Sequence, residues 1–382
     1  MNCHILTYLE TQRDTLQDLN NYLFNNPEDS YKEFKACNYI TNLLKKNDFK
    51  IESNYLDLET SFCAIKGNGH PKVCLLCHYD ANSTDGHLIG NNLQTTTMIS
   101  AALGLGHALE KSSGSVVVIG CPGEALGGTK SILFKQGAFE DIDIVLTIQP
   151  DTHTTKSGSS KSIIPISIKF SGDSCLSYLD KATYTSLDAT LLYLNILNSI
   201  EKGFPNDVEI SYALTKCACT PLVSSMESEL KFFIRSNEFD VAQIVENKLR
   251  EIAIYVSKLI RVQYSFSLYE SPKEELISNP TLNRIFCHNL KESGIIHINE
   301  PKTIDIGLSL GIISKSIPTI CPHFSIIENE CLKFGTTEFA NETLTDFAFC
   351  QSQKASLALI HTGLDIIESK NLLSEALREI KS

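Results

Sequence analysis

Val73-Cys74-Leu75-Leu76 runs straight into Cys77-His78-Tyr79-Asp80-Ala81-Asn82, and Gly86-His87-Leu88-Ile89-Gly90-Asn91-Asn92 follows. The apolar run has the length of a buried strand, and polar side chains gather where it stops. In an α/β sheet that end of a strand is where ligands bind. The stretch has the outline of a metal site.

Working outward, the chain alternates strand and helix. Helical spacing covers about Tyr8 to Phe24, is broken at Asn25-Asn26-Pro27, and returns from about Tyr31 to Lys46. Strands are expected at Phe49–Leu56, Thr60–Ile65, Val73–His78, Ser115–Gly120 and Ile142–Ile148, with helices at Thr95–Glu110 and Thr129–Lys135. That order predicts an α/β fold, a mostly parallel sheet sandwiched by helices. After Gln149-Pro150 the pattern changes. Asp151–Lys161 reads as a linker, and a strand is expected at Ile164–Phe170. A helix from about Leu187 to Glu201 precedes strands near Val208–Leu214 and Glu229–Ile234. A helix at about Phe239–Leu259 and a strand at Val262–Leu268 complete an inserted small α+β domain. The expected division is 1–163, 164–270 and 271–382, with the first domain resuming in the last part. There Leu282–Glu292 is helical, Ile317–Ile320 is a last strand kept short or at an edge by its Pro318, and Phe339 to about Lys370 is one long helix or two in tandem, with an amphipathic tail to Ile380.

The chain has 382 residues and a net charge of −12. Without a basic block, such an acidic chain is a poor match for nucleic acid or an anionic membrane. No apolar run is long enough to span a bilayer, and the start predicts no signal peptide. Thirteen scattered cysteines suit free thiols in a reducing cytoplasm. Cys74-Leu75-Leu76-Cys77 matches C-x-x-C in form. An odd separation on a strand sends the two thiols to opposite faces, so it reads as buried structure.

Several motifs, in order, resemble the co-catalytic zinc aminoacylase/carboxypeptidase family, metallopeptidase family M-twenty. The branch it looks like is that of p-aminobenzoyl-glutamate hydrolase and β-alanyl-lysine dipeptidase. Tyr79-Asp80-Ala81 with Gly86-His87 and Gly90-Asn91-Asn92 is similar to E-Y-D-A…G-H-x-C-G-H-N. Gly120-Cys121-Pro122-Gly123-Glu124-Ala125 with Gly127-Gly128-Thr129-Lys130 is similar to G-T-P-A-E-E…G-G-x-K. Thr303 to Ser309 resembles T-D-x-G-N-V-S, and Thr336-Thr337-Glu338-Phe339-Ala340 resembles H-T-x-E-F-A. The resemblance implies a zinc-exopeptidase-like fold whose inserted domain is a lid and dimerisation domain, hence a homodimer. It also implies amide hydrolysis, with two zinc ions acidifying a water and Glu124 as general base.

The implied ligands are where the sequence departs from the family. Ile89, Asn91, Ala125, Gln149 and Gly335 stand at the five positions. Ile, Ala and Gly offer no side-chain donor, and Asn and Gln are weak oxygen donors. Leu176 replaces the lid histidine. Without a metal, water keeps a pKa of about 15.7 rather than about 7, so Glu124 has nothing useful to deprotonate. No cofactor is therefore expected.

The remaining candidates for a pocket are His78, Asp80, His87, Asn92, Cys121, His153, Arg235 and Asp305. His78-Tyr79-Asp80 resembles the H-x-D metal motif of other branches. Glu124 reads either as a base or as a relic at the mouth of a helix. Cys121 reads as a buried small hydrophobe or as a nucleophile beside His87 or His153. Arg235 is a partner for a substrate carboxylate or a structural ion pair. The expected protein is thus a divergent relative that lost its zinc ligands. It is a pseudoenzyme, or is repurposed for binding or metal-free chemistry on an acyl-amino-acid or peptide-like ligand. The alternative is an active amidohydrolase or dipeptidase with a metal relocated to His78 and Asp80.

Overall fold

The computed structural model describes residues 2–109, 113–124, 128–172, 176, 183–217, 222–328 and 332–380, the side chains of Asn2 and Cys3 excepted. It forms two compact units: Met1–Ser159 with Ile277–Thr303 and Ile312–Ser382, and Ser160–Leu276 with Ile304–Gly311. The stretch Ile304–Gly311, which the sequence pattern placed in the resumed first domain, clusters with the second unit.

The chain opens with α1 (Asn2–Thr11), α2 (Arg13–Asn25) and α3 (Phe34–Lys46). The single first helix expected from spacing is two, parted at Gln12, whose N–H still bonds the carbonyls of Tyr8 and Leu9. Tyr31 has φ +66, a left-handed conformation that a helix does not admit, so α3 starts three residues later than expected. Next come β1 (Lys50–Ser53), β2 (Phe62–Asn68), β3 (Lys72–Cys77), α4 (Asn91–Ala108), β4 (Gly114–Gly120), α5 (Lys130–Lys135), β5 (Ile144–Leu146) and β6 (Gln149–Asp151). β1 stops at Ser53 because Asn54, Leu56 and Asp57 all have positive φ.

The second unit holds β7 (Ser162–Ser171), α6 (Ser186–Ile200), β8 (Glu209–Lys216), β9 (Glu227–Ser236), α7 (Phe239–Ile260) and β10 (Gln263–Leu268). Its sheet is antiparallel in the order β10-β7-β9-β8. β9 buries every second residue, and Leu230, Phe232 and Ile234 meet Ala242, Val245, Leu249 and Val256 of α7 in one core. Period 2 in the strand and period 3.6 in the helix put those apolar faces opposite each other. Thr185 and Asp188 form a reciprocal capping box that starts α6.

The chain then adds α8 (Pro280–Glu292), α9 (Gly311–Ser314), β11 (Thr319–Ile320), β12 (His323–Ser325), α10 (Thr337–Glu342), α11 (Asp346–Glu368) and α12 (Lys370–Glu379). Asn279 caps α8 through its side chain and Pro280 occupies the first turn. Of the two arrangements expected for Phe339 to about Lys370, helices in tandem are found: α10 and α11 start at the side-chain caps Thr336 and Thr345, and α12 follows from the cap Ser369.

The sheet of the first unit runs β1-β2-β4-β3-β5-β11 among the described residues. β4, β3, β5 and β11 are parallel, while β1 and β2 are antiparallel at one edge. The expected strand Ile142–Ile148 is shortened to β5, and β6 begins just beyond its end. β5 stays in this sheet, whereas β6 leaves it to pair in parallel with β12, outside the sequence expectation. β3 is buried along all but its first residue, as a continuous apolar run requires between two parallel neighbours. α4 is buried on nearly all sides. It packs so closely on α11 that a Cβ at Gly104 would stand 2.3 Å from Ile360 Cδ1. Each buried Val, Leu or Ile in this core stabilises by about 1.5–3 kcal/mol. The parallel arrangement brings the exits of β3 and β4 to one edge of the sheet. No helix among the described residues is long and apolar enough to cross a membrane.

Candidate functional site

At the exit of β3 the backbone of His78 is held from α4. Its N–H donates to Gln94 Oε1 at 3.0 Å, and its carbonyl accepts from Thr95 Oγ1 at 2.6 Å. Gln94 also donates to the carbonyl of Leu76 and to Thr147 Oγ1. The imidazole is buried and its Nε2 has no partner. Burial, assisted by the charge of Lys130 and opposed by Glu124, pushes its pKa down to about 3, so the ring is neutral. Asp80 is buried too. It accepts from Ser30 Oγ at 3.0 Å and from Asn91 Nδ2 at 3.1 Å. Asn91 reaches back because Gly90 takes a left-handed φ of +76 just before α4, which glycine adopts without strain. Asn91 Oδ1 remains buried and unpaired.

Asn92 points elsewhere, donating to Asn20 Oδ1 and Thr343 Oγ1. His87 also turns away: its Nε2 stands 3.0 Å from the carbonyl of Leu23 at the end of α2. A carbonyl only accepts, so Nε2 carries the proton. Burial, opposed by that bond, lowers its pKa to about 4.

The exit of β4 carries Cys121 and Glu124. Cys121 is buried and its thiol is pushed up to about 12 by burial, which fits the packing reading and not a nucleophile. Glu124 accepts from Lys130 Nζ at 2.6 Å, and only 1% of the Lys130 side chain is exposed. The turn between them is held by Glu33, which accepts from the Gly123 N–H at 2.8 Å and from Thr60 Oγ1 at 2.9 Å. Burial raises the Glu33 carboxyl and those bonds partly offset it. Sequence reading missed Glu33 altogether, because only folding brings it to a turn ninety residues away. Lys130 stood inside a quoted motif, but nothing in the spacing marked it as the partner of Glu124.

Gln149 Nε2 donates to the carbonyl of Ile89 at 2.7 Å, so two of the implied ligand positions bond each other. In the parallel β6–β12 pair Gln149 stands opposite His323, and His323 Nδ1 lies 2.7 Å from Asp151 Oδ2. This pair, too, escaped the sequence reading. His153 is exposed and lines a cavity of about 330 Å³ with Thr154, Ile295, His297 and Asn299. Gly335 is exposed, with φ +79 and open space around it. Ala125 lies outside the described residues, as do the neighbours of Leu176, which itself bridges Val223 in the second unit. Arg235 and Asp305 belong to that unit. Arg235 donates to Ser211 Oγ and stands 3.7 Å from Glu209, while Asp305 pairs with Lys161 at 3.2 Å. Cys74 and Cys77 are buried on β3, their thiols pushed well up by burial.

Ile89, Asn91, Gln149 and Gly335 do not fit a pair of zinc ions: a hydrocarbon, two amides and no side chain supply neither thiolate, imidazole nor carboxylate. Among the described residues no three His, Cys, Asp or Glu side chains gather as a metal cluster.

The fold is that of the M-twenty peptidases and amidohydrolases. A dinuclear metal-binding peptidase of that family from Bacillus subtilis superposes with a TM-score of 0.67 at 15% identity, covering 94% of this chain and 99% of that one. No family model matches the sequence. Over 267 residues the chain is 25% identical to one of the chains of the p-aminobenzoyl-glutamate hydrolase of Escherichia coli (strain K12), covering 64% of this chain and 56% of that protein. It therefore spans just over half of that relative. Xaa-Arg dipeptidase of Mus musculus is 24% identical over 400 residues, covering 98% of this chain and 90% of the other. The resemblance read from the motifs to this amidohydrolase branch is borne out, and so is the expected fold class.

Proposed function

We propose that this chain is a divergent relative of the metal-dependent amidohydrolases that keeps their framework without their two-zinc chemistry. It serves to bind, or to act without metal on, an acyl-amino-acid or peptide-like ligand. The ligand class follows the relatives, whose names refer to an amide of glutamate and to dipeptides ending in arginine. One observation carries the reading: polar groups at and beside the implied metal positions are engaged with other groups of the protein. The Asn91 amide lies on Asp80, the Gln149 amide on the Ile89 carbonyl, and the Lys130 ammonium on Glu124. Buried carboxylates need compensating charge or hydrogen bonds, and here side chains of the protein supply them. The free thiols support a reducing compartment, which we take to be the cytoplasm.

The test is metal content. Protein purified without chelator is expected to hold far less than one zinc per chain. N-acyl amino acids and dipeptides should stay intact with added zinc, manganese or cobalt, and Glu124→Gln should change nothing. Two zinc ions per chain with turnover abolished by Glu124→Gln would refute the proposal. A second reading places one relocated metal at His78, because its Nε2 and Asn91 Oδ1 are both buried and unpaired. In that case metal would be present at stoichiometry and disappear in His78→Gln.

We further propose a homodimer through the second unit, the inserted domain serving as its lid and dimerisation module. β8 is an edge strand, and Tyr212 and Leu214 on it are each 47% exposed, with Leu191 of α6 at 53%. An open edge with apolar side chains favours pairing with a second copy. Light scattering is expected to give twice the chain mass, and Leu214→Lys to shift the protein towards monomer. A monomeric parent protein would rule this out.

A further inference from the structure

β6 and β12 run in parallel, Gln149 opposite His323 and Asp151 opposite Ser325. Residues opposite each other in a ladder share a face, and so do residues two apart on a strand. Gln149, Asp151, His323 and Ser325 therefore project to one side. Gln149 identifies that side, since its amide reaches Ile89 in the loop that leads to Asn91 and α4. His323 thus stands on the face where the resemblance implies catalysis.

His323 Nδ1 lies 2.7 Å from Asp151 Oδ2. The other carboxylate oxygen, Oδ1, accepts from the Thr152 N–H at 2.6 Å and from Thr152 Oγ1 at 3.2 Å. Burial acts to raise the Asp151 carboxyl, but the bonds from His323 and Thr152 outweigh it and hold it below the usual range. A carboxylate only accepts, so Nδ1 carries a proton, and in the neutral ring Nε2 is then the nitrogen with the lone pair. Among the described residues none takes that Nε2, and it is not one of the closed-off polar atoms. The His323 side chain retains 15% exposure. The strands fix both partners: the His323 N–H and carbonyl bond Thr155, and the Asp151 carbonyl accepts from Ile326.

We propose that His323 is a metal-free general base, that Asp151 is its positioning residue, and that the pair acts on an activated acyl compound, an ester or thioester. This deepens the proposed function and rests on it for the acyl class alone. General-base assistance contributes roughly 10²–10⁴-fold, which serves an ester but falls far short of what an unactivated amide needs. Nε2 takes a proton from water as its oxygen forms a bond to the acyl carbon. The carbon–leaving-group bond then breaks, the electron pair departs with the leaving group, and the imidazolium returns the proton to it. The products are a carboxylic acid and an alcohol or thiol, with no change of oxidation state.

The test uses the full chain in chelator, with p-nitrophenyl acetate as the probe. Hydrolysis above buffer is expected to fall about 100-fold in His323→Gln, and to stay unchanged in His288→Gln. In Asp151→Asn the rate should fall while long-range proton–nitrogen NMR shows His323 losing its Nδ1–H tautomer, a signature that a merely packing role would not move. Diethyl pyrocarbonate is expected to modify His323 in the unaltered folded protein, so the outcome does not depend on a variant that folds. A parent-like rate in His323→Gln, or a His323 that resists the reagent, would overturn the proposal. Because the assay excludes metal, zinc found in the isolated protein would sink the proposed function and leave this result standing.

Discussion

Replacing Lys130 by methionine is expected to cost about 3–5 kcal/mol of stability, as breaking a buried ion pair by removing one partner does. Methionine fills nearly the same space, so the loss reports charge and not packing. The Lys130 side chain is 1% exposed and Glu124 16%, and their atoms stand 2.6 Å apart. Glu124 would keep its negative charge in a site that no longer holds its cation, and solvent screens such a group little. Lys130 also weighs on its neighbours. Its charge adds to burial in lowering His78, and it opposes the upward push of burial on Cys121 and Cys321. The double variant Lys130→Met with Glu124→Gln is expected to recover a large part of the loss, because a neutral pair costs less to bury than a lone charge. Urea denaturation of the four proteins in the cycle measures this. A loss below about 1 kcal/mol in the single variant would place the pair among weak surface bridges.

The second large effect is the dependence of stability on pH. Burial lowers His78 to about 3 and His87 to about 4, both below the 6.5 of a free imidazole. Between those values the unfolded chain binds protons that the folded chain refuses. The contribution is fully present above pH 6.5 and is lost as pH falls towards 4. The slope is about 1.4 kcal/mol per pH unit for each histidine, or about 2.7 for the two together. His87→Gln can keep a donor to the Leu23 carbonyl while removing one titrating group. It should flatten the curve between pH 6 and 4 by about 1.4 kcal/mol per unit, measured by urea denaturation at stepped pH. An unchanged slope would mean that His87 is not buried in its neutral form.

The sites of these effects differ in how far they could be read beforehand. Val73–Leu76 between turn-like polar stretches marked a central parallel strand, because a run buried on both faces carries its own signature. The alternating residues of β9 and the helical stripe of α7 were equally plain, since periodicity is a local property. Boundaries were less so: left-handed residues such as Tyr31 and Leu56 stop an element for reasons that composition does not display. The departure of β6 from the main sheet was hidden too, because its partner β12 lies about 170 residues further along.

By itself the sequence determined the α/β class and the small inserted α+β body, and it put Ile89, Asn91, Gln149 and Gly335 at the positions where the resemblance implies zinc ligands. These follow from side-chain chemistry and local period, which need no neighbour. Only the tertiary structure decided which partners these and the neighbouring polar groups meet. Asn91 on Asp80, Gln149 on Ile89, Lys130 against Glu124, Glu33 under Gly123 and Asp151 beside His323 are pairings between separate segments. A hydrogen bond depends on direction and on a few tenths of an ångström, and neither exists until the chain has closed on itself.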